Sequence, residues 1–312
     1  MSSSLHTLQD RKETVPVSLA CQNALLNELL SVPSIANDLL PELRLTTLTA
    51  NQVLYEHGDK IETIYFPVDT IISGLAIMED GTTIETSMVG REGMIGVSAL
   101  LGSGSSRQWV WVTIGGNAIQ LDTRVLERAF VQNETALKAV LKYYRSLITQ
   151  LSQRCVCNTR HTILERLCCW LLMVHDRMGA NDFNLTQEMI ASRVGARRAG
   201  ITVAAGMLQS IDAIGYRRGQ LHVHDRGVME RTVCECYNIM RSERRFTPPQ
   251  VPLSHLLAID KNTIHAGASR IGNRNNGVYK RLVACLAAVD ARQDWTSVQR
   301  LSLTHRGLEH FD

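Results

Sequence analysis

The stretch "VGARRAGITVAAGMLQSIDAIGY" at residues 194–216 decides how this chain is read. It brings a glycine at 195 and two adjacent arginines, Arg197 and Arg198, to the start of a segment that is apolar on one side only. Ile201, Ala205, Leu208 and Ile211 recur at intervals of three and four, the spacing of one buried helical stripe. The opposite face shows Arg198, Ala199, Thr202, Val203, Gly206 and Gln209. Just upstream, "LTQEMIASRV" (185–194) predicts a shorter helix, with Thr186 as N-cap and Glu188 in the first turn, where the helix dipole favours a carboxylate. Its Met189, Ile190 and Val194 face inward. Gly195 suits the left-handed turn that ends a helix, and two helices joined by such a turn form a helix–turn–helix.

Downstream, "IGYRRGQLHVHD" (214–225) reads as two short strands around Arg217-Arg218-Gly219-Gln220, a hairpin or wing with a basic tip. Residues 185–231 hold seven arginines against four acidic residues, a surplus equal to the formal +3 of the whole chain. Arginine is the side chain that best forks onto phosphate or guanine. The reading is a helix that enters a groove of double-stranded DNA, with Arg198, Ala199, Thr202, Val203 and Gln209 toward the bases. Arg197, Arg217 and Arg218 then hold phosphates, and Thr186 is counted with the DNA-binding residues. The plain alternative is a solvated helical hairpin packed on another domain. His222 and His224 share one face of a strand, but two imidazoles are too few for a metal site.

The rest of the 312 residues sets this unit in context. A 45% apolar content fits a globular protein with real cores. No uncharged apolar run approaches the roughly 18 residues of a membrane span, and the N-terminus lacks a basic segment followed by an apolar one. No membrane partner and a cytoplasmic location are therefore expected. The eight cysteines occur as C-x-C, C-C and C-x-C pairs plus Cys21 and Cys285, without the C-x2-C spacing that turns two thiolates toward one ion. Free thiols and no metal are expected, and a thiol enzyme built on Cys168-Cys169 finds little support around it.

Residues 43–121 alternate short apolar stretches with turn residues. "MEDGTTIE" (78–85) is a hairpin signal with Asp80-Gly81 at its tip, and the whole region predicts a β-sandwich or jelly roll. Within it, "GREGMIGVSALLGSGSSRQ" (90–108) is glycine-rich; its backbone N–H groups either cradle an anion or simply make tight turns. Asn23 predicts the cap of a short helix over "ALLNELL". Asp122 and Asn133 predict the caps of two further helices, the second long. Along that second helix, Leu137, Leu141, Tyr144, Ile148, Leu151 and Cys155 step by four and three in alternation, a heptad seam suited either to a symmetry mate or to its own domain. "RHTILERLCCWLLMVHDRM" (160–178) predicts another helix with a wide apolar face. After Met240 a basic, proline-rich linker leads to one convincing helix at 278–295.

This order resembles the Crp/Fnr superfamily of bacterial transcription regulators over about residues 40–240, with "VLYEHGD" similar to its early strand–turn signature and "LTQEMIASRVGARRAGITVAAGMLQ" to its DNA-binding signature. "GREGMIGV" (90–97) and "CECY" (234–237) resemble one branch of it. The resemblance implies an α+β chain with five parts. These are an N-terminal extension (1–35), a cyclic-nucleotide-binding-like jelly roll (36–132), a dimerisation helix (133–158), a winged helix–turn–helix (159–240) and a C-terminal extension (241–312). It places an effector site at Gly93, Met94, Gly96, Arg107 and Gln108.

The departures carry weight too. Met94 stands where nucleotide-binding members have a ribose-holding carboxylate, and Arg107 is followed by Gln108 instead of serine, so cyclic AMP is not expected. Only Cys21 precedes Cys155, which excludes the N-terminal cysteine set of iron–sulfur members, and no haem arrangement is evident. Of the family's Arg-Glu-x-x-x-Arg reading set only Arg198 survives; Ala199 and Val203 replace the others and can touch only thymine methyls. The implied protein is a homodimeric regulator whose partners are operator DNA, a second copy of itself and RNA polymerase. The competing reading is a small-molecule or redox sensor that acts through a protein partner without binding DNA.

Overall fold

The structure is a computed structural model that describes residues 15–102 and 104–243. Three short helices come first: α1 (Val17–Ala20), α2 (Ala24–Leu30) and α3 (Pro33–Leu39). The expected cap of α2 is present, since Asn23 Oδ1 accepts from Leu26 N–H at 2.9 Å. The same side chain is buried and donates to the carbonyls of Pro67 (2.9 Å) and Gly93 (2.8 Å). This segment is therefore bonded to the β-domain and packed on α6, with Leu25, Leu26, Leu29 and Leu30 buried. Sequence periodicity reveals only α2 of this group: its Asn23 cap and four leucines mark one face, whereas α1 is barely one turn and α3 buries only Ile35, Ala36 and Leu39.

The β-domain contains β1 (Arg44–Leu48), β2 (Val53–Tyr55), β3 (Thr63–Pro67), β4 (Ile71–Ile77), β5 (Thr83–Val89), the helical turn α4 (Val97–Leu100), β6 (Trp109–Ile114) and β7 (Gly116–Asp122). The strands form two antiparallel sheets, ordered β1-β7-β3 and β2-β6-β4-β5, the two-sheet sandwich expected of a jelly roll. Leu48, Tyr55, Ile72, Val89, Val110, Val112 and Ala118 fill a core between them. The Asp80-Gly81 hairpin forms as read: Gly81 has φ +82° and Asp80 Oδ1 accepts from Thr82 N–H at 2.8 Å.

Next come α5 (Thr123–Gln132), capped by Asp122, and α6 (Glu134–Arg160), capped by Asn133. The long helix runs past the expected limit of 158 and stops at His161. Thr162 and Glu165 then make a reciprocal capping box that starts α7 (Ile163–Met178). From Leu167 to Val174 every residue of α7 is buried, so this helix lies enclosed on all sides instead of showing one apolar face. Its burial includes Cys168 and Cys169; desolvation pushes the Cys168 thiol up to about 12, opposite to what a nucleophile needs.

The chain continues through β8 (Asp182–Asn184), α8 (Gln187–Val194), α9 (Arg198–Ser210), β9 (Ile214–Arg217), β10 (Gln220–Val223), α10 (Arg226–Thr232) and α11 (Glu235–Glu243). β8 joins the wing as the third strand in the order β8-β10-β9; "GANDFN" reads only as a helix break in sequence. The helix expected at 278–295 lies outside the described residues.

A buried polar network ties the β-domain to the helices. Glu85 of β5, 2% exposed, accepts from Trp170 Nε1 (2.9 Å) and Ser73 Oγ (2.6 Å). It also pairs with Arg154 at 3.4 Å and Arg193 at 3.9 Å. Nearby, buried Arg177 of α7 pairs with Glu92 at 2.7 Å.

Candidate nucleic-acid interface

The helix–turn–helix forms from α8 and α9. Thr186 Oγ1 accepts from Met189 N–H at 3.2 Å, and Gly195 closes α8 with φ +68°. Arg197 occupies the N-cap of α9, so Arg198 is its first helical residue. Ile201, Ala204, Ala205 and Leu208 are buried, which anchors the inner side of α9. Ile211 does not continue that stripe: it follows the helix and is 48% exposed, because the chain turns there through Asp212, at φ +54°. Arg198, Ala199, Thr202, Val203, Gly206 and Gln209 are all exposed, as expected of a face turned outward. Val203 (59%) and Met207 (50%) make that face apolar in part, and Met207 is an addition to the residues that the sequence pattern singles out.

Two outward side chains are already engaged. Thr202 Oγ1 bonds to Gln187 Oε1 at 2.8 Å, joining the two helices. Gln209 Nε2 donates to the Tyr216 carbonyl at 3.4 Å, which ties α9 to the wing. The wing's turn has Arg218 at φ +51° and Gly219 at φ +81°, the paired left-handed conformations of a tight two-residue hairpin. Leu185 N–H donates to the Gly219 carbonyl at 2.8 Å, and Tyr216 Oη donates to the Leu185 carbonyl at 2.7 Å. These bonds hold the basic tip beside Thr186 at the start of α8.

Six of the seven arginines counted in this region separate into two groups, and the seventh, Arg231, is exposed in the last turn of α10. Arg197, Arg198, Arg217 and Arg218 are exposed and make no ion pair among the described residues. Arg193 is buried on Glu85, and Arg226 pairs with Asp176 (2.8 Å) and Glu230 (2.9 Å). Arg193 and Arg226 are therefore structural, and four of the five exposed arginines stand at the start of α9 and on the wing tip. His222 is likewise occupied, on Asp182 at 2.7 Å, and its ring meets His224 edge-on.

The β-domain has a cavity of about 280 Å³ between the sandwich and α6. Met94, Gly96, Arg107 and Gln108 line it, with Val89, Val110 and Tyr55. Gly93 does not: a Cβ there would run into the ring of Tyr143, so its glycine serves close packing on α6. At the wall, a Cβ on Gly74 of β4 would displace the side chains of Gln108 and Ser87. Of the expected seam, Tyr144 and Leu151 line this cavity together with Leu147. Leu137 and Leu141 are half-buried, while Ile148 and Cys155 are exposed. The residues that pack α6 onto its own chain are a different set: Ala136, Ala139, Val140, Tyr143, Gln150, Arg154 and Cys157.

Residues 165–232 match the Crp-like helix-turn-helix domain family. Among solved structures, FixK2 from Bradyrhizobium japonicum is similar with a TM-score of 0.54 at 16% identity, over 62% of this chain and 98% of that one. A CRP-family transcriptional regulator from Thermus thermophilus, TTHB099, is similar with a TM-score of 0.52 at 16% identity, over 60% and 95% of the two chains. At such identities the likeness is one of fold. No curated protein sequence matches. No described helix is long and apolar enough to cross a membrane. The chain carries a Crp-like helix–turn–helix domain on the fold of the Crp/Fnr-family transcription regulators.

Proposed function

We propose that the chain is a homodimeric, sequence-specific DNA-binding regulator of transcription. The observation that carries this reading is the exposed face of α9. Among the described residues Arg198 stands without an ionic partner at its first turn, and Ala199, Thr202 and Val203 follow beside it. A 13-residue helix is about 20 Å long, and the major groove, about 12 Å wide, admits it. Arg198 forks onto a guanine, Ala199 and Val203 lie against thymine methyls, and Arg197, Arg217 and Arg218 hold phosphates to set register. Thr186 adds its backbone at the start of α8. Gln209 and Thr202, already bonded within the domain, steady the helix more than they read bases.

Two copies pair along α6 through Leu137, Leu141, Ile148 and Cys155, the seam residues that neither line the cavity nor pack inward. The two copies of α9 then enter successive major grooves about 34 Å apart. The cavity is the sensor. Its lining offers no carboxylate at Met94 to hold a ribose, while exposed Arg107 can meet an anion, so the effector is a small molecule other than cyclic AMP. Its occupancy reaches α6 directly through Tyr144, Leu147 and Leu151. RNA polymerase is the partner of a bound dimer.

Selection of duplexes from a random pool by the purified full chain tests this reading. Enriched sequences with two-fold symmetry, half-sites one helical turn apart and a guanine in each half-site support it. Failure to enrich any sequence overturns it.

A further inference from the structure

Four metal-ligating side chains converge where the long helix meets the end of the winged domain. Cys157 lies in the last turn of α6, His161 caps that helix, Cys234 immediately precedes α11, and Cys236 lies in its first turn. Each comes from a sequence pair or segment whose own spacing suggests nothing, which is why the sequence alone points to inert thiols. Folding joins across the pairs instead. The three sulfurs and a ring nitrogen of His161 all lie within 4.8 Å of one another. Cys157 Sγ stands 3.6 Å from Cys234 Sγ, and Cys236 Sγ stands 3.4 Å from His161 Nδ1. Thiolates about 2.3 Å and imidazoles about 2.0 Å from a tetrahedral zinc ion are separated by roughly 3.8 Å for S···S and 3.5 Å for S···N. The two observed separations match such a shell, the remaining pairs lie within 4.8 Å, and the Cys157–Cys234 distance is far longer than the ~2.05 Å of a disulfide.

The surroundings point the same way. His161 Nε2 faces the Glu235 carboxylate at 3.3 Å, the arrangement that orients a metal-binding imidazole and fixes Nδ1 as the ligand. Gln153 Nε2 donates to Cys236 Sγ at 3.2 Å, as a thiolate sulfur would accept. Cys157, Cys234 and Cys236 are buried, which shields the set from water. Arg154 and Arg166 line one small cavity with Cys157, and each buries an Nε without a hydrogen-bond partner among the described residues, so positive charge lies near a centre that three thiolates around one divalent ion would make net negative.

We propose that Cys157, His161, Cys234 and Cys236 form a closed, structural Cys3His site for a divalent zinc-class cation. The site pins α11 to the end of α6. It also backs onto the helix–turn–helix: Arg166 Nη2 donates to the Val194 and Gly195 carbonyls, and Arg154 Nη2 donates to the Arg193 carbonyl at 2.6 Å. The site stands or falls independently of DNA binding, because metal content is read without DNA.

The test is elemental analysis of the untagged, reduced full chain purified without chelators, followed by cobalt titration of the metal-stripped chain. One zinc per chain is expected, and cobalt gives the thiolate charge-transfer and tetrahedral ligand-field bands of cysteine coordination. Cys157→Ser and Cys234→Ser abolish the cobalt spectrum, Cys21→Ser leaves it intact, and Glu235→Gln weakens affinity about 10–100-fold. The wild-type spectrum decides the matter even if a ligand variant fails to fold. Absence of bound metal and of any cobalt spectrum overturns the proposal, as does an iron–sulfur absorption or a Cys157–Cys234 disulfide in the purified chain.

Discussion

The indole Nε1 of Trp170 donates to the Glu85 carboxylate at 2.9 Å across the junction between α7 and the second sheet of the sandwich. The two residues are 85 positions apart and both are buried. Arg154 of α6 and Arg193 of α8 approach the same carboxylate, so one anion gathers three helices onto β5. A buried carboxylate between two guanidinium groups is tolerable only while all its partners stay in place.

Glu85→Gln is accordingly expected to destabilise the chain by about 3–5 kcal/mol, since it leaves buried cations uncompensated. Trp170→Phe keeps most of the apolar volume, loses one hydrogen bond to a charged group, and costs less, about 1.5–3 kcal/mol. Urea denaturation of the two variants checks the ranking. A neutral outcome for Glu85→Gln contradicts the network's role.

Arg198→Ala and Arg217→Ala separate reading from holding. The first is expected to lose about 1–3 kcal/mol at one base position and relax specificity there; the second weakens all sites alike and lowers the salt slope. Competition binding on a panel of permuted duplexes distinguishes them. Equal behaviour of the two variants contradicts the assignment.

Ile148 is 45% exposed on α6 and neither lines the cavity nor packs inward. Ile148→Glu places a charge on the proposed seam without touching the core. Sedimentation should show a folded monomer in place of a dimer. A wild-type chain that already sediments as a monomer contradicts the proposed pairing.

Legibility follows the range of the interactions. The helix–turn–helix is readable because its signals are local: Thr186 caps α8, Gly195 turns it, and Ile201, Ala205 and Leu208 repeat along one helix. The same local logic finds Asn23, Asp122 and Asn133 as caps. It counts Arg193 in the basic surplus without seeing that Glu85, more than 100 residues away, buries it. It gives Gly93 to the cavity because sequence cannot show Tyr143 filling the space against it. It assigns all six heptad positions of α6 to one seam, whereas the cavity wall takes Tyr144 and Leu151. Cys157 and Cys234 escape notice for a related reason: spacing within a pair is silent about contacts between pairs.

Burial of Cys168 supplies a pH test. Its thiol titrates at about 12 in the fold, above the roughly 8.5 of an unfolded thiol, so the native chain binds more protons in between. The stability it contributes is complete below about pH 8.5 and drains away as pH rises through that window, by up to about 1.4 kcal/mol per unit. Cys168→Ala removes this component. The stability difference between wild type and variant should shrink from pH 8.5 upward, and a constant difference contradicts the assignment.

The most direct measurement of the central claim is equilibrium binding of the full chain to a short fluorescent duplex drawn from the selected sequences, followed over a series of salt concentrations. Tight binding at low salt is predicted, with log K falling linearly against log salt at a slope of about −0.9 per phosphate contact. Wild-type protein that retains no duplex even at the lowest salt would contradict the account.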